Sequence, residues 1–540
     1  MPIKASPRMR PPFRRFLAAS ALAALLVPTP ALADPMFWAL RQTEEGAGSA
    51  PPPAPPPVEE DTTISAVAGT PTEVTLPQLL QLAVRQSPSL ELAKIDIEIA
   101  EAEIEQSTAI DDWSVGADAN ASYSTGVNNA GPSQTTRVGL SGDISRMLPS
   151  GGTVALHGET GWTRISTDTK IGDMPVTLLQ SQYTDTLSAV WSQPLLRGRG
   201  REIVRSRIAQ AEIGRDAASL ARAQAALTAV RDVVNGYWDL VLSLRQLEIR
   251  RSSLDLARER LRITNAGIKG GGVAKTEALA VEQIIAQREE DVLTAELGVV
   301  QSSLDLRRLV GMEIGPGQLG LSTSTELGLP AVEWNLDAMI AQAYASSPEL
   351  AQLEASGKQA EIEVEVSENG LLPQLDLSLA IGPVGQDENG PGKALVNMVT
   401  FDDIAISGGL SYSQSLGKHA ASGAARAARA SRLKIKINEA DARAQIAQAL
   451  AQAALLARSA ERRVELAATA IQLAGENIKA EQSRFQLGKS TNFDVLQRQD
   501  ELKQAELRQA AAIIDWHKAQ TTAAAITGTL LGDYGVSLPD

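Results

Sequence analysis

The sequence contains no cysteine among its 540 residues, and only 4% of its residues are aromatic. Without cysteine the chain has no disulfide bonds and no N-terminal lipidated cysteine, although the composition is compatible with an oxidising compartment. Positive charge is also scarce, since 50 Lys and Arg face 64 Asp and Glu, for a net charge of −14. This balance argues against a nucleic-acid-binding protein, which normally carries a basic field.

Motifs for catalysis, metal binding and phosphate binding are absent as well. The histidines His157, His419 and His517 are far apart and show no metal-ligand spacing. Gly488-Lys489-Ser490 does not complete a phosphate-binding loop, because Ser483 stands where the first glycine is needed. We therefore expect no metal site, no cofactor, no catalytic residues and no enzymatic activity.

Long apolar runs are missing except near the N-terminus. Five basic residues precede an apolar run from Phe16 to Val27, and Ala31-Leu32-Ala33 follows as a cleavage pattern. This order predicts a secretory signal peptide at residues 1–33, with a stray N-terminal anchor as the alternative. After it, no apolar stretch reaches the roughly 20 residues of a spanning helix.

The remainder divides into a leader and two similar halves. Residues 34–72 include the run Pro51-Pro52-Pro53-Ala54-Pro55-Pro56-Pro57 and predict an extended or disordered leader. We predict two structural repeats, at 73–330 and 331–540. The first has strands at about 113–194 and a long helical hairpin at about 200–310, and the second has strands at about 371–416 and a hairpin at about 418–528.

The two halves share positions at a constant spacing. Ser87-Pro88-Ser89-Leu90 recurs as Ser347-Pro348-Glu349-Leu350, each predicted to begin a helix with a serine cap and proline in the first turn. The matching pairs that are 217 residues apart are Gly271 and Gly488, Leu279 and Leu496, and Gly311 and Gly528. A constant offset across a turn and a helix end indicates an internal repeat.

Apolar residues in the long helices follow a coiled-coil rhythm. In the first hairpin the spacing is three and four residues along Val230, Val233, Tyr237, Leu240, Leu244 and Leu247. The second hairpin repeats this rhythm with small residues along Ile446, Leu450, Ala453, Ala457, Ala460, Val464, Ala467, Ile471, Ala474 and Ile478. Each helix therefore needs a partner on that face.

The predicted strands alternate apolar and small polar residues. The clearest are Trp113–Ser124, Leu187–Ser192, Gln374–Ile381 and Ile404–Tyr412. Such alternation fits a membrane β-barrel, and it also fits an antiparallel sheet on a soluble core. Loops predicted at 126–134, 167–181 and 382–393, and six Trp and Tyr in or beside the strands, favour the membrane sheet. An extra strand pair, Thr136–Ile144 and Thr153–Trp162, has no counterpart in the second half.

Together these motifs resemble the TolC-like outer-membrane efflux and secretion proteins over roughly residues 75–530. The resemblance rests on the paired Ser-Pro-x-Leu helix starts, on Ser192-Gln193-Pro194-Leu195-Leu196 and Ser413-Gln414-Ser415-Leu416, and on the glycine-containing segments 271–279 and 487–496. The resemblance implies a mainly α fold with a β-barrel portion. In it, duplicated long-helix hairpins form a trimeric periplasmic α-barrel continuous with a transmembrane β-barrel.

The resemblance also implies a function, partners and a location. The chain would be an exit duct in the bacterial outer membrane with a long periplasmic extension, serving a tripartite efflux pump or type I secretion system. Its partners would be two further copies, a periplasmic adaptor, outer-membrane lipid and, indirectly, an inner-membrane pump, with no nucleic acid. A structural coiled coil and a pump adaptor are the alternatives. Drugs, metal ions and polypeptides remain open as cargo.

Two sets of candidate site residues follow from the resemblance. The helix tips would dock on the adaptor through Gly271, Gly272, Val273, Ala274, Gly488, Lys489, Ser490 and Thr491, or would be simple tight turns. The candidates for an acidic ring at the closed aperture are Glu476 and Glu481. Neither acid falls clearly on the family's positions, and an ordinary solvated helix face is the alternative.

Overall fold

The structure is a computed structural model that describes residues 69–128, 131–172, 174–315, 318–325, 327–330 and 332–537. The predicted signal peptide at 1–33 and most of the predicted leader at 34–72 lie outside the described residues. Within the described ranges, no helix is both long enough and apolar enough to cross a membrane.

The elements follow one another in the same pattern in both halves: two short helices, strands, and a hairpin of long helices. The helices are α1 Leu76–Gln86, α2 Pro88–Thr108, α3 Arg201–Val204, α4 Ser206–Lys269, α5 Lys275–Val310, α6 Leu336–Ser346, α7 Pro348–Asn369, α8 Pro391–Val399, α9 His419–Gln486, α10 Asn492–Thr527 and α11 Leu530–Asp533. The strands are β1 Thr72–Glu73, β2 Trp113–Asn128, β3 Gly131–Met147, β4 Thr153–Ile171, β5 Met174–Pro194, β6 Leu321–Ser322, β7 Gln374–Asp387 and β8 Asp403–Ser413. The prediction of a mainly helical fold with an antiparallel sheet is confirmed.

Two very long helices dominate the molecule. Helix α4 has 64 residues and α9 has 68, so each extends for roughly 100 Å. Along the predicted apolar seam of α4, the residues from Val230 to Leu240 are buried and Leu244 and Leu247 are partly buried. Around them packs a core contributed by α1, α5 and α10, including Leu79, Leu306 and Ile514.

The long helices lie side by side as a layer, and two edges of this layer lack a neighbour among the described residues. At the level of the hairpins the neighbours run in the order α5, α4, α10, α9, and towards the strands in the order α2, α4, α7, α9. The two hairpins therefore meet through α4 and α10. Helix α9 forms one edge over its whole length, whereas α5 and α2 share the other edge.

A six-stranded antiparallel sheet continues from the helical layer. Its order is β2-β3-β4-β5-β7-β8, so among the described strands β2 and β8 each lack a neighbour on one side. A separate two-residue parallel ladder pairs β1 with β6 beside the core. Helix α8 connects β7 to β8 and packs on β7 and β5.

Several local predictions need correction. Strands occupy most of the loops predicted at 126–134 and 167–181, because cross-strand pairing there outweighs the loop preference of Gly, Asn and Ser. The loop predicted at 382–393 is instead occupied by the end of β7, up to Asp387, and by the start of α8 at Pro391. Within the first predicted hairpin, a break at Arg205 separates α3 from α4, and the Arg205 guanidinium lies 2.7 Å from an Asp111 carboxylate oxygen.

Candidate functional site

At both hairpin tips, the first helix of the hairpin, α4 or α9, ends in the same hydrogen-bonded turn. At the first tip, the Gly272 amide donates to the Gly267 carbonyl at 3.1 Å and Gly271 donates to Ile268 at 3.0 Å. At the second, the Lys489 amide donates to the Arg484 carbonyl at 2.9 Å, and the Gly488 amide donates to the Phe485 carbonyl at 2.9 Å. This pair of bonds defines a Schellman motif, which places one residue in the left-handed region.

Glycine is required in these turns by backbone conformation and not by crowding. Gly271 has φ 74° and Gly488 has φ 70°, values that are costly for residues with a Cβ atom. A Cβ atom at either position would meet nothing within 4 Å. The tips are therefore open surfaces of the chain, with Gly272, Ala274 and Lys489 exposed beside them.

At the second tip, α10 begins with a capping box. Asp494 accepts hydrogen bonds from the Thr491 amide at 2.9 Å and from its hydroxyl at 2.7 Å, and the Ser490 hydroxyl donates to it at 3.3 Å. These bonds, led by the one from the Thr491 amide, hold the pKa of the Asp494 carboxyl below its ordinary value. The cap thus holds two of the predicted docking residues, Ser490 and Thr491, at the start of α10.

The structure brings the two tips together. Asn492, which is buried, donates from its side-chain amide to a Glu277 carboxylate oxygen at 3.3 Å, so the start of α10 contacts the start of α5. Just above, Leu496 packs against Ala257 and Val281 in a small core shared by both hairpins. The eight predicted docking residues therefore belong to one end of the molecule.

Sequence reasoning did not single out the exposed apolar residues at this end. The exposed fractions of the residues are 71% for Leu487, 58% for Phe493 and 65% for Leu279. Leu279 is the repeat partner of Leu496, which is only 1% exposed. The duplicated positions differ because α10 lies against α4 inside the layer, whereas α5 forms its edge.

The two candidate aperture acids are not brought together. They are five residues apart on α9, which places them about 140° apart around the helix. Glu476 is exposed, whereas the Glu481 side chain is 13% exposed and lies 3.5 Å from the Arg484 guanidinium. Glu481 thus continues the buried face of α9, and Glu476 lies on another face.

Two arginines join the hairpins near the tips. Arg288 of α5 is buried and donates to the Ser253 carbonyl at 2.6 Å and to Asp500 at 2.7 Å, so it links α5, α4 and α10. Arg260 of α4 lies over the Phe485 ring of α9 at 4.3 Å. Burial lowers the pKa of the Arg260 guanidinium. Both contacts cross between helices that are far apart in sequence, and no local pattern predicts them.

The six-stranded sheet has one apolar and one polar face. Cross-strand partners point to the same side of a sheet, so the pairing shows which residues share a face. The apolar face carries, among others, Trp113, Val115, Tyr123, Val138, Leu140, Ile144, Val154, Leu156, Trp162, Tyr183, Leu187, Trp191, Leu377, Leu379, Ile381, Ile404, Ile406, Leu410 and Tyr412. The polar face carries, among others, Ser114, Asp118, Asn120, Arg137, Ser141, Asp143, His157, Glu159, Thr163, Thr184, Ser188, Ser378 and Ser407.

Aromatic residues lie towards both ends of the apolar face. Trp113 and Trp191 share one cross-strand row, and Trp162 and Tyr183 pair near the other end. Trp113 and Tyr123 are ten residues apart on β2, roughly 33 Å along a strand and about 25 Å in height at a 40° tilt. The apolar face therefore has the height of a membrane's apolar layer.

Asp185, an acid on this face, is 5% exposed, because α8 packs on β5 beside it.

The described residues contain no group of three or more His, Asp or Glu side chains placed to hold a metal ion. His157 lies on β4, His419 begins α9 and His517 lies on α10. His517 stacks on Trp238, with ring centroids 4.0 Å apart.

Comparison with known proteins agrees with this architecture. The description of the matching family is outer membrane efflux protein, and the match covers residues 79–312 and 339–529. Because the match covers more than half of the sequence, the chain belongs to the outer membrane efflux protein family. A comparison with curated protein sequences finds no match.

Solved structures of outer-membrane channels share the fold at low sequence identity. The Campylobacter jejuni CmeC channel has a TM-score of 0.62 at 14% identity, with 86% of this chain and 87% of that chain covered. The Vibrio cholerae outer membrane protein VceC has a TM-score of 0.58 at 16% identity, covering 86% and 97%. The open state of Neisseria gonorrhoeae MtrE has a TM-score of 0.58 at 16% identity, covering 84% and 89%.

Proposed function

We propose that three copies of this chain form an exit duct through the bacterial outer membrane. The three sheets close into one transmembrane β-barrel, and the helical layers close into an α-barrel that extends into the periplasm. The duct conducts substrate passively from a periplasmic adaptor and an inner-membrane pump, as part of a tripartite efflux pump or a type I secretion system. It catalyses no reaction, and the inner-membrane partner supplies the energy.

The sheet carries this proposal. Its apolar face suits lipid and its polar face suits a water-filled lumen. Open sheet edges are not tolerated in lipid, because their amide and carbonyl groups find no water there. The free edges of β2 and β8 therefore need strands from other copies, and association of identical chains supplies them.

Helix α9 provides a second, independent observation. Its side opposite the buried face carries an exposed apolar stripe, which we call the free stripe: Leu433, Ile437, Leu455, Leu466 and Leu473. At 100° per residue these five positions lie within about 60° of one another around the helix. A helix with apolar residues on two opposite sides needs two neighbours. Among the residues that the structure describes, α9 has neighbours only on its buried face, so a second copy is the natural cover for the free stripe.

The organisation of the chain fits this proposal. Residues 1–33 direct export and 34–72 form a leader, and the repeats at 73–330 and 331–540 each supply strands and one helical hairpin. The tips at Gly271–Ala274 and Gly488–Thr491 lie at the end of the molecule away from the sheet. We place the adaptor there, against the exposed side chains of Leu487 and Phe493.

Reconstitution tests the channel. Purified mature protein is expected to be a trimer by native mass spectrometry and to give discrete conductance steps in planar lipid bilayers. A water-soluble monomer, or a trimer that leaves bilayers insulating, contradicts the proposal.

Cross-linking tests the docking end. Single cysteines at Gly272→Cys and Lys489→Cys, each carrying a photoactivatable cross-linker, are expected to capture the adaptor in cells. Both positions are exposed, and neither needs a positive φ. The matched control is Gly298→Cys on α5, also in open space and roughly 35 Å from the tip. Capture at Gly298 but not at the tips rules out docking through them.

A further inference from the structure

The first half of the chain has the β3–β4 hairpin between β2 and β5, whereas the second half has helix α8 between β7 and β8. We infer that this hairpin forms two complete strands of the membrane wall, so that three copies close an eighteen-stranded barrel. The other four strands alone would give twelve. This inference rests on the trimeric channel proposed above and concerns the width of its outer end.

The hairpin is paired along its whole length. Strand β3 is in register with β2 from Gly131 to Arg146, and β4 is in register with β5 from Thr153 to Ile171. Between them the β3–β4 ladder runs from Ser133 to Met147. Each ladder exceeds the 9–11 residues that cross a bilayer at a tilt of about 45°. The hairpin therefore reaches across the full height of the sheet.

The hairpin follows the same inside-outside pattern as its neighbours. Val138, Leu140 and Ile144 on β3, and Val154, Leu156 and Trp162 on β4, share the apolar face with Trp113 and Trp191. The alternate positions, Arg137, Ser141 and Asp143 on β3 and His157, Glu159 and Thr163 on β4, lie on the polar face. Arg146 and Arg164 also lie on the apolar side, near the two ends of the ladder, whereas the positions between them are apolar or small apart from Thr160. A hairpin folded into the lumen would not need such an apolar band.

The turn of the hairpin is fixed to the junction between strands and helices. The Gln193 side-chain amide donates to the Ser150 carbonyl at 3.1 Å, and the Gly200 amide donates to it at 3.2 Å. Gly152 is packed so closely that a Cβ atom there would lie 2.6 Å from the Ser192 carbonyl oxygen. With its turn held and both ladders continuous, the hairpin cannot leave the sheet without breaking them.

The two strand numbers give clearly different widths. With strands about 4.8 Å apart and tilted by about 40°, eighteen strands close at a backbone diameter of about 36 Å and twelve at about 24 Å. The wider barrel leaves an aqueous channel, as other barrels of 16–18 strands do.

A matched deletion tests the inference. Removing residues 131–171 deletes β3 and β4. The C-terminal end of β2 is then connected directly to the N-terminal end of β5, which lies at the same end of the sheet. The deletion keeps Trp113 and Trp191 in one row on one face. Electron microscopy of trimers in lipid nanodiscs is expected to show the intact barrel about 36 Å wide, 1.5 times the width of the deletion variant. An intact trimer that is about 24 Å wide overturns the inference, whether or not the deletion variant folds.

A second measurement uses the full-length chain, whose lack of cysteine allows single-site labelling. Bimane at Leu156→Cys on β4 should be quenched by brominated lipid as strongly as bimane at Leu379→Cys on β7. The two leucines are equally exposed, at 45% and 44%. Bimane at His157→Cys, on the polar face, should stay bright. Quenching at Leu379 without quenching at Leu156 overturns the inference and leaves the channel intact. Absence of quenching at both overturns the membrane role as well.

Discussion

His517 is the residue whose environment gives the clearest dependence on pH. Its ring stacks on Trp238 and its Nε2 donates to the Gly328 carbonyl at 2.9 Å. Burial lowers the pKa of the imidazole below 6.5, only partly offset by the Gly328 hydrogen bond. The folded protein therefore holds the neutral ring, and His517 takes up a proton more readily in the unfolded chain.

This difference predicts a loss of stability in mild acid. The contribution of His517 is complete above pH 6.5 and falls as the pH drops towards the lowered pKa of the folded state, by at most about 1.4 kcal/mol per pH unit. Thermal unfolding followed by circular dichroism at pH 7.5 and pH 5.5 should show a smaller difference for His517→Gln than for the wild type. His419→Gln is the control and should behave as the wild type. An unchanged difference in His517→Gln contradicts the assignment.

At the scale of elements, the four glycines at matching positions end their helices in the same way but in different surroundings. Gly271, Gly311, Gly488 and Gly528 all have φ between 70° and 77°. A Cβ atom on Gly488 would meet nothing, whereas on Gly311 it would collide with the Gln86 carbonyl oxygen. Backbone conformation is therefore the only constraint at the tip, and packing adds a second one at the end of α5.

Alanine substitutions separate these two constraints. Gly488→Ala should lower the free energy of unfolding by about 1–2 kcal/mol, the cost of a left-handed residue with a Cβ. Gly311→Ala should cost more, because the collision with a backbone atom of Gln86 requires α1 to move. Denaturant titration of both variants, compared with the wild type, measures the difference. Equal losses would show that the α1 contact does not constrain Gly311.

The same comparison shows what sequence can and cannot predict at this scale. The spacing of Val233 and Leu240 predicted a buried helix face, and the repeated glycines predicted helix ends, because both signals are local. The different burial of Leu279 and Leu496 was not predictable, since it depends on which hairpin lies inside the layer. Likewise Arg288, which links three helices, carries no local signal. The sheet extends beyond the predicted strand ends because pairing partners decide strand length.

At the scale of the whole molecule, the free stripe of α9 predicts the strength of assembly. Burying one exposed leucine against a second copy contributes about 1.5–3 kcal/mol, so Leu455→Asp should strongly weaken the proposed trimer. The control is Leu456→Asp, because Leu456 is similarly exposed but lies about 100° away around the helix. Native mass spectrometry at decreasing protein concentration measures the trimer fraction. Equal effects of both variants would exclude the free stripe as the contact between copies.

The turn at each tip has one further consequence. Its defining hydrogen bonds join residues no more than five positions apart, from Gly267 to Gly272 and from Arg484 to Lys489. Between the two tips, the Asn492 side-chain amide donates to Glu277. Because each turn is fixed by its own local bonds, we expect the segments 267–272 and 484–489 to tolerate exchange without changing how the helices pack farther from the tips.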